Sequence, residues 1–212
     1  MQSLLISLSS KLLLIAYFQT KKTGNHFNLF TMNREEFTDY YNHGNKVKYV
    51  FFWGHQKPIS GVTKSCFSQW YEAPFLVEGK EFMTAEHYMM YRKALLFKDA
   101  EAATKVLAAT NPGAAKAIGR AVKGFEQTIW EQHRFEIVVG GNVAKFGAHP
   151  ELKDFLLATG QRVLVEASPR DRIWGIGMSE NNPDSCNPNL WRGQNLLGFA
   201  LMEAREQLLN QD

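Results

Sequence analysis

Apolar positions along this chain fall into short runs divided by turn residues, and their spacing shifts between two and about 3.6. Tyr49–Trp53, Tyr-Val-Phe-Phe-Trp, is a β-type run. Phe75–Phe82 predicts a hairpin with Glu78-Gly79 near its turn. Thr84 is a good helix N-cap. Ala85, Tyr88/Met89, Arg92 and Leu95/Leu96 follow it at helical spacing, which predicts a helix over 85–97. Further helices are predicted over 99–108, ended near Asn111-Pro112, and over 113–122, stopped by Gly124. A longer one spans 125–146, with Pro150 opening the helix 151–158. Gly140-Gly141 is unfavourable inside the long helix, by roughly 1 kcal/mol per glycine against alanine. Either a close helix crossing tolerates the pair or the helix kinks there. Val163–Val165 reads as a strand and 195–209 as a terminal helix. The sum is a mainly α (α+β) chain with a few short strands and no internal repeat.

Length and composition then set bounds. The 212 residues suit one domain, and 45% hydrophobic content fills a sizeable core. The formal charge of +3 resides in Lys11, Lys21 and Lys22, because residues 1–31 contain no acid. Residues 32–212 are therefore neutral, with no global footprint for duplex nucleic acid. Cys66 and Cys186 form no CxxC and no metal-ligand spacing, which predicts two free thiols, a reducing compartment, a cytoplasmic protein and no metal. HExxH, Walker A and GxGxxG patterns are missing, and no cofactor is indicated. The apolar stretch Leu4–Phe18 is interrupted by Lys11, and is too short and polar to span a bilayer. Residues 1–31 are expected to be an upstream extension or dispensable arm, with an anchor or uncleaved signal as the alternative. The domain is expected over 32–212.

Chemistry concentrates near the C-terminus. The run from Leu164 to Gly177 carries Glu166, Asp171, Arg170, Arg172, Trp174 and two glycines in fourteen residues. Ser168-Pro169 breaks regular structure, and Gly175 and Gly177 allow close backbone approach. Asp171 suits water activation or stabilisation of a cationic transition state, and Trp174 suits stacking on a base. The plainer alternative pairs Asp171 with Arg170 or Arg172, worth only about 0–1 kcal/mol at a surface. Glu86 occupies a first helical turn, where an acid gains from the helix dipole. It also shares a face with Met90, Lys93 and Phe97, and a carboxylate there must be paired or used. Lys116 and Arg120, at i, i+4, make either a solvated basic face or a phosphate site. Trp130 and Arg134 share that spacing; Trp130 is core or ligand platform, with Arg134 placed to stack on it. His87, His133 and His149 have no shared spacing and read as structural.

Together these residues resemble the NADAR family, also called YbiA-like. The resemblance runs from about Tyr49 to Leu208. It is carried by Thr84-Ala85-Glu86-His87-Tyr88-Met89, Lys93-Ala94, Gly119-Arg120, Trp130, Arg134, Lys145-Phe146 and Leu156–Gly160. Val165–Gly177, Asn195-Leu196-Leu197-Gly198 and Arg205 complete it. Departures are Gln69, where the family often has asparagine, the Gly140-Gly141 pair, and the loop from Met178 to Arg192 expected at the pocket mouth.

The resemblance implies a single compact, mainly helical domain that hydrolyses an N-glycosidic bond. Family members cleave the ribosylamine bond of early riboflavin-pathway pyrimidine intermediates, releasing ribose 5-phosphate, or remove ADP-ribose from guanine in nucleic acid. On this reading Glu86 and Asp171 divide the catalytic roles, with Asp171 favoured as ribose-facing and Glu86 as water-activating or acid partner. Arg120 and Lys116 hold phosphate, Trp130 and Trp174 sandwich the base, Gly175 permits close approach, and Asn195 binds ribose hydroxyls. The partner is a small phosphoribosyl molecule, with nucleic acid only as an alternative substrate. The rival from another class is a non-catalytic module that binds ADP-ribose or NAD, which needs the arginine and tryptophans but not the acids.

Overall fold

A computed structural model describes residues 32–211. The expectation for residues 1–31 lies outside the described residues. The chain order is α1 (Arg34–Asn42), β1 (Tyr49–Phe52), β2 (Phe75–Val77), β3 (Lys80–Phe82), α2 (Ala85–Leu96), α3 (Ala100–Leu107) and α4 (Pro112–Arg120). Then follow α5 (Gln127–Ala148), α6 (Pro150–Leu157), β4 (Val163–Glu166) and α7 (Leu196–Leu209). Short 3-10 turns cover Lys64–Phe67 and Pro188–Leu190. The described residues form one mainly helical α+β domain, as the sequence indicates.

Helix α2 is the hub. Residues 85–91, Lys93 and Ala94 are all buried, so it shows no amphipathic stripe. It packs against α3, α4 and α5. Glycines set two of these approaches. A Cβ on Gly141 would lie 2.7 Å from the Tyr88 ring. A Cβ on Gly119 would overlap the Met90 thioether. The long helix α5 runs unbroken through Gly140-Gly141, so of the two expectations for that pair the close crossing is the one realised.

Helix α5 bridges to α7, and α7 backs the strand β4. Strands β1 and β4 pair in parallel, with Phe52 opposite Glu166 at their C-terminal ends. Strands β2 and β3 form the expected hairpin. Glu78 and Gly79 both have positive φ, at 51° and 73°, as a tight two-residue hairpin turn demands. Helix α1 was not expected. Its signal was present in the sequence: Asn33 caps the Glu36 amide, and the Glu36 carboxylate returns to the Asn33 amide at 2.9 Å.

Candidate active site

Glu86 enters the domain on the first turn of α2. Thr84 accepts a hydrogen bond from the His87 amide, and the Glu86 amide donates to the Gln69 carbonyl at 2.9 Å. The side chain is 2% exposed, and its Oε1 has no hydrogen-bond partner. Burial pushes its carboxyl up to about 7. Lys116, the Trp70 indole N–H and Arg120 pull it back, while Asp171 adds to the rise. Four expected residues, Glu86, Asp171, Lys116 and Arg120, therefore share one electrostatic neighbourhood. It is drawn from α2, α4 and the loop after β4.

The loop after β4 is organised by Asp171. Its Oδ1 accepts the Ile173 amide at 2.8 Å and the Trp174 amide at 2.7 Å. Among the described residues it forms no ion pair with Arg170 or Arg172, so the surface-pair alternative is not what the fold uses. Trp174 is partly buried and packs on the core. Gly175 sits where a Cβ would come within 2.8 Å of the Glu166 carbonyl. Its lack of a side chain lets the loop lie on the end of β4.

Asn195 lies on the other side of β4. It is fully buried in left-handed conformation, at φ 54°. Its Oδ1 accepts the Glu166 amide and its Nδ2 donates to the Leu164 carbonyl, both at 2.9 Å. The amide thus engages β4, a structural role beside the expected contact with ribose hydroxyls. Trp130 is buried on α5, and the cation over its ring is Lys93, at 5.4 Å. Arg134 does not take that place. It instead donates to Gln194 at 3.3 Å.

Two further residues, Glu166 and Trp70, join the neighbourhood, and Lys145 supports the segment that carries Trp70. Glu166, at the end of β4, has Oε2 buried without a partner. Burial, then Asp171, pushes its carboxyl up to about 8; Lys116 opposes and Glu86 adds to the rise. Trp70 lies beneath the Lys116 ammonium, 5.7 Å from its ring centroid, and touches His55. Lys145 is fully buried and donates to the Cys66 and Ser68 carbonyls at 2.6 and 3.0 Å, fixing the segment that leads into Gln69 and Trp70. Desolvation brings its ammonium down to about 8. Gln69 itself turns to Asn142 on α5, at 3.1 Å.

A cavity of about 420 Å³ adjoins Trp70 and is lined in part by His55, Lys57, Thr84 and Asn111. A larger one of about 760 Å³ lies between α1 and residues 188–196. None of its lining residues perturbs Glu86, so chemistry rather than volume locates the site. Among the described residues no group of three or more His, Cys, Asp or Glu is arranged to hold a metal ion.

The NADAR domain model matches residues 51–209. The chain belongs to the NADAR family. It is 44% identical over 165 residues to the N-glycosidase R617 of Acanthamoeba polyphaga mimivirus, covering 76% of this chain and 96% of that protein. It is 33% identical over 144 residues to the N-glycosidase YbiA of Escherichia coli K12, covering 68% and 79%. The NMR structure of E. coli YbiA superposes with a TM-score of 0.63 at 29% identity, covering 79% of this chain and 88% of that one. This NADAR protein is accordingly an enzyme, a hydrolase of N-glycosyl compounds. Every member of the carboxylate neighbourhood lies inside the NADAR match, and α1 lies outside it. Among the described residues no helix is long and apolar enough to cross a membrane.

Proposed function

We propose that this enzyme hydrolyses the C1′–N bond of phosphoribosylamino-pyrimidine intermediates of riboflavin synthesis and releases ribose 5-phosphate. The observation that carries the reading is Glu86, a buried carboxyl with an unpartnered oxygen, set beside Asp171 and the cations Lys116 and Arg120. A module that only binds has no use for such a group, whose burial with an unpartnered oxygen opposes folding.

Breaking C1′–N builds positive charge on the ribose. Asp171, held rigid by its two backbone hydrogen bonds, faces that charge. Glu86, poised near neutrality, takes the proton of the attacking water. Lys116 and Arg120 supply the positive potential that a 5-phosphate needs. Trp70, which hydrogen-bonds Glu86 and carries Lys116 over its ring, is one proposed aromatic wall. Trp174 remains the proposed second wall for the base. A cytoplasmic setting fits the free thiols Cys66 and Cys186.

The substrate is tested by competition. The full chain is given the phosphoribosylamino-pyrimidine and an ADP-ribosylated guanine oligonucleotide in one reaction. Preferential release of ribose 5-phosphate is expected, because a neutral domain offers little to a polyanion. Preferential release of ADP-ribose would reassign the substrate to nucleic acid.

A further inference from the structure

We infer that Glu166 is a third catalytic carboxyl of this site, beside Glu86 and Asp171: the acid that protonates the departing nitrogen while Glu86 accepts the proton of water. This rests on the N-glycosidase reading above and extends it to a residue from another element. Glu86 Oε1 and Glu166 Oε2 are both buried side-chain oxygens without partners. One rises from α2 and the other from the end of β4, and both lie within the influence of Lys116 and Asp171. Two buried carboxyl oxygens without partners, on groups that both feel Lys116, suit a displacement by water, which uses one acid and one base.

The frame around Glu166 is rigid. Its amide is held by Asn195, its carbonyl accepts the Ile176 amide at 3.0 Å, and its strand is paired to β1 at Phe52. A side chain on such a frame is positioned well enough to deliver a proton. The order of ionisation follows from the charges. Glu166 feels the charges of Asp171, Lys116 and Glu86; Glu86 feels those of Lys116, Asp171 and Arg120 and the Trp70 hydrogen bond. With more cationic help, Glu86 ionises first, and its charge then holds the proton on Glu166.

The step balances. Water oxygen bonds to C1′ as the C1′–N bond breaks, and that bond's electron pair goes to nitrogen. Glu166 gives its proton to the nitrogen, and Glu86 removes one from water. The resting state returns when Glu86 passes its proton to Glu166 through solvent.

The test uses the full chain and two substrates. One is the phosphoribosylamino-pyrimidine. The other is the 4-nitrophenyl glycoside of ribose 5-phosphate, whose leaving group departs without protonation. Glu166→Gln is expected to lower kcat at least ~100-fold on the amine substrate and less than ~10-fold on the nitrophenyl glycoside. The alkaline limb of its kcat profile should also disappear. Glu86→Gln should lower both activities, and Glu166→Asp, which keeps an acid, should recover part of the amine-substrate rate. Equal losses on the two substrates, or none on either, would overturn the assignment. A wild-type chain inactive on both would instead remove the N-glycosidase reading on which it rests. Circular dichroism and thermal unfolding of each variant separate chemistry from misfolding.

Discussion

A single carboxyl shows how the proposed function and stability oppose each other here. Glu86 has its folded pKa raised from 4.5 to about 7. The folded state therefore holds its proton more tightly, and the stabilising difference is present below pH 4.5 and lost as pH rises through 7. Above that, the buried charge costs on the order of 3 kcal/mol. Glu86→Gln should therefore raise the unfolding temperature while lowering kcat at least ~100-fold. The gain should be small near pH 4.5, grow towards pH 7.5 and then level. Comparing the two unfolding curves across that range cancels His87, whose burial lowers its pKa and acts alike in both proteins. A variant destabilised at every pH would contradict the account.

At this scale the sequence was legible where residues announced themselves by spacing. Glu86 stood on an apolar helical face, and Lys116 and Arg120 stood one turn apart. Glu166 was visible but silent, because one acid closing a Leu-Val run reads as a strand boundary. What makes it distinctive is an unpartnered oxygen beside Asp171 and Lys116, and that exists only in three dimensions.

Elements place these side chains through contacts too close for a Cβ. Gly119 lets α4 settle on Met90 of α2, and α4 carries Lys116 and Arg120. Gly119→Ala should destabilise the fold by about 1–3 kcal/mol. It should also raise KM, because both cations shift away from Glu86. A KM unchanged in folded protein would detach α4 from substrate binding. Asn195 works on the other side, tying the start of α7 to β4. Asn195→Ala leaves the Glu166 amide and Leu164 carbonyl without their side-chain partner, at about 1–3 kcal/mol each. The expected result is a clear fall in thermal stability, measured by calorimetry. A stable variant with only a weaker KM would assign Asn195 to ribose contact instead. Sequence alone could not tell these roles apart, since an asparagine before a helix looks the same whether it meets a sugar or a strand.

For the whole molecule, the helical order and the hairpin were legible because turn residues punctuate them. Thr84, Asn111-Pro112, Gly124 and Pro150 mark boundaries that the structure keeps to within a few residues. The parallel pairing of β1 with β4 was not legible, because it joins strands separated by most of the domain. That pairing brings the end of β4, with Glu166 and the Asp171 loop, into register with β1. Helix α2 brings Glu86 to the same place from the hub of the bundle. The proposed site is thus an outcome of packing two distant parts of the chain together.

The most direct test is mass-spectrometric detection of ribose 5-phosphate after the full chain meets the phosphoribosylamino-pyrimidine, beside Glu86→Gln. The account predicts release by the wild type and at least ~100-fold less by the variant. Equal release by both would contradict a catalytic role for Glu86, and no release by folded wild type would contradict the proposed substrate.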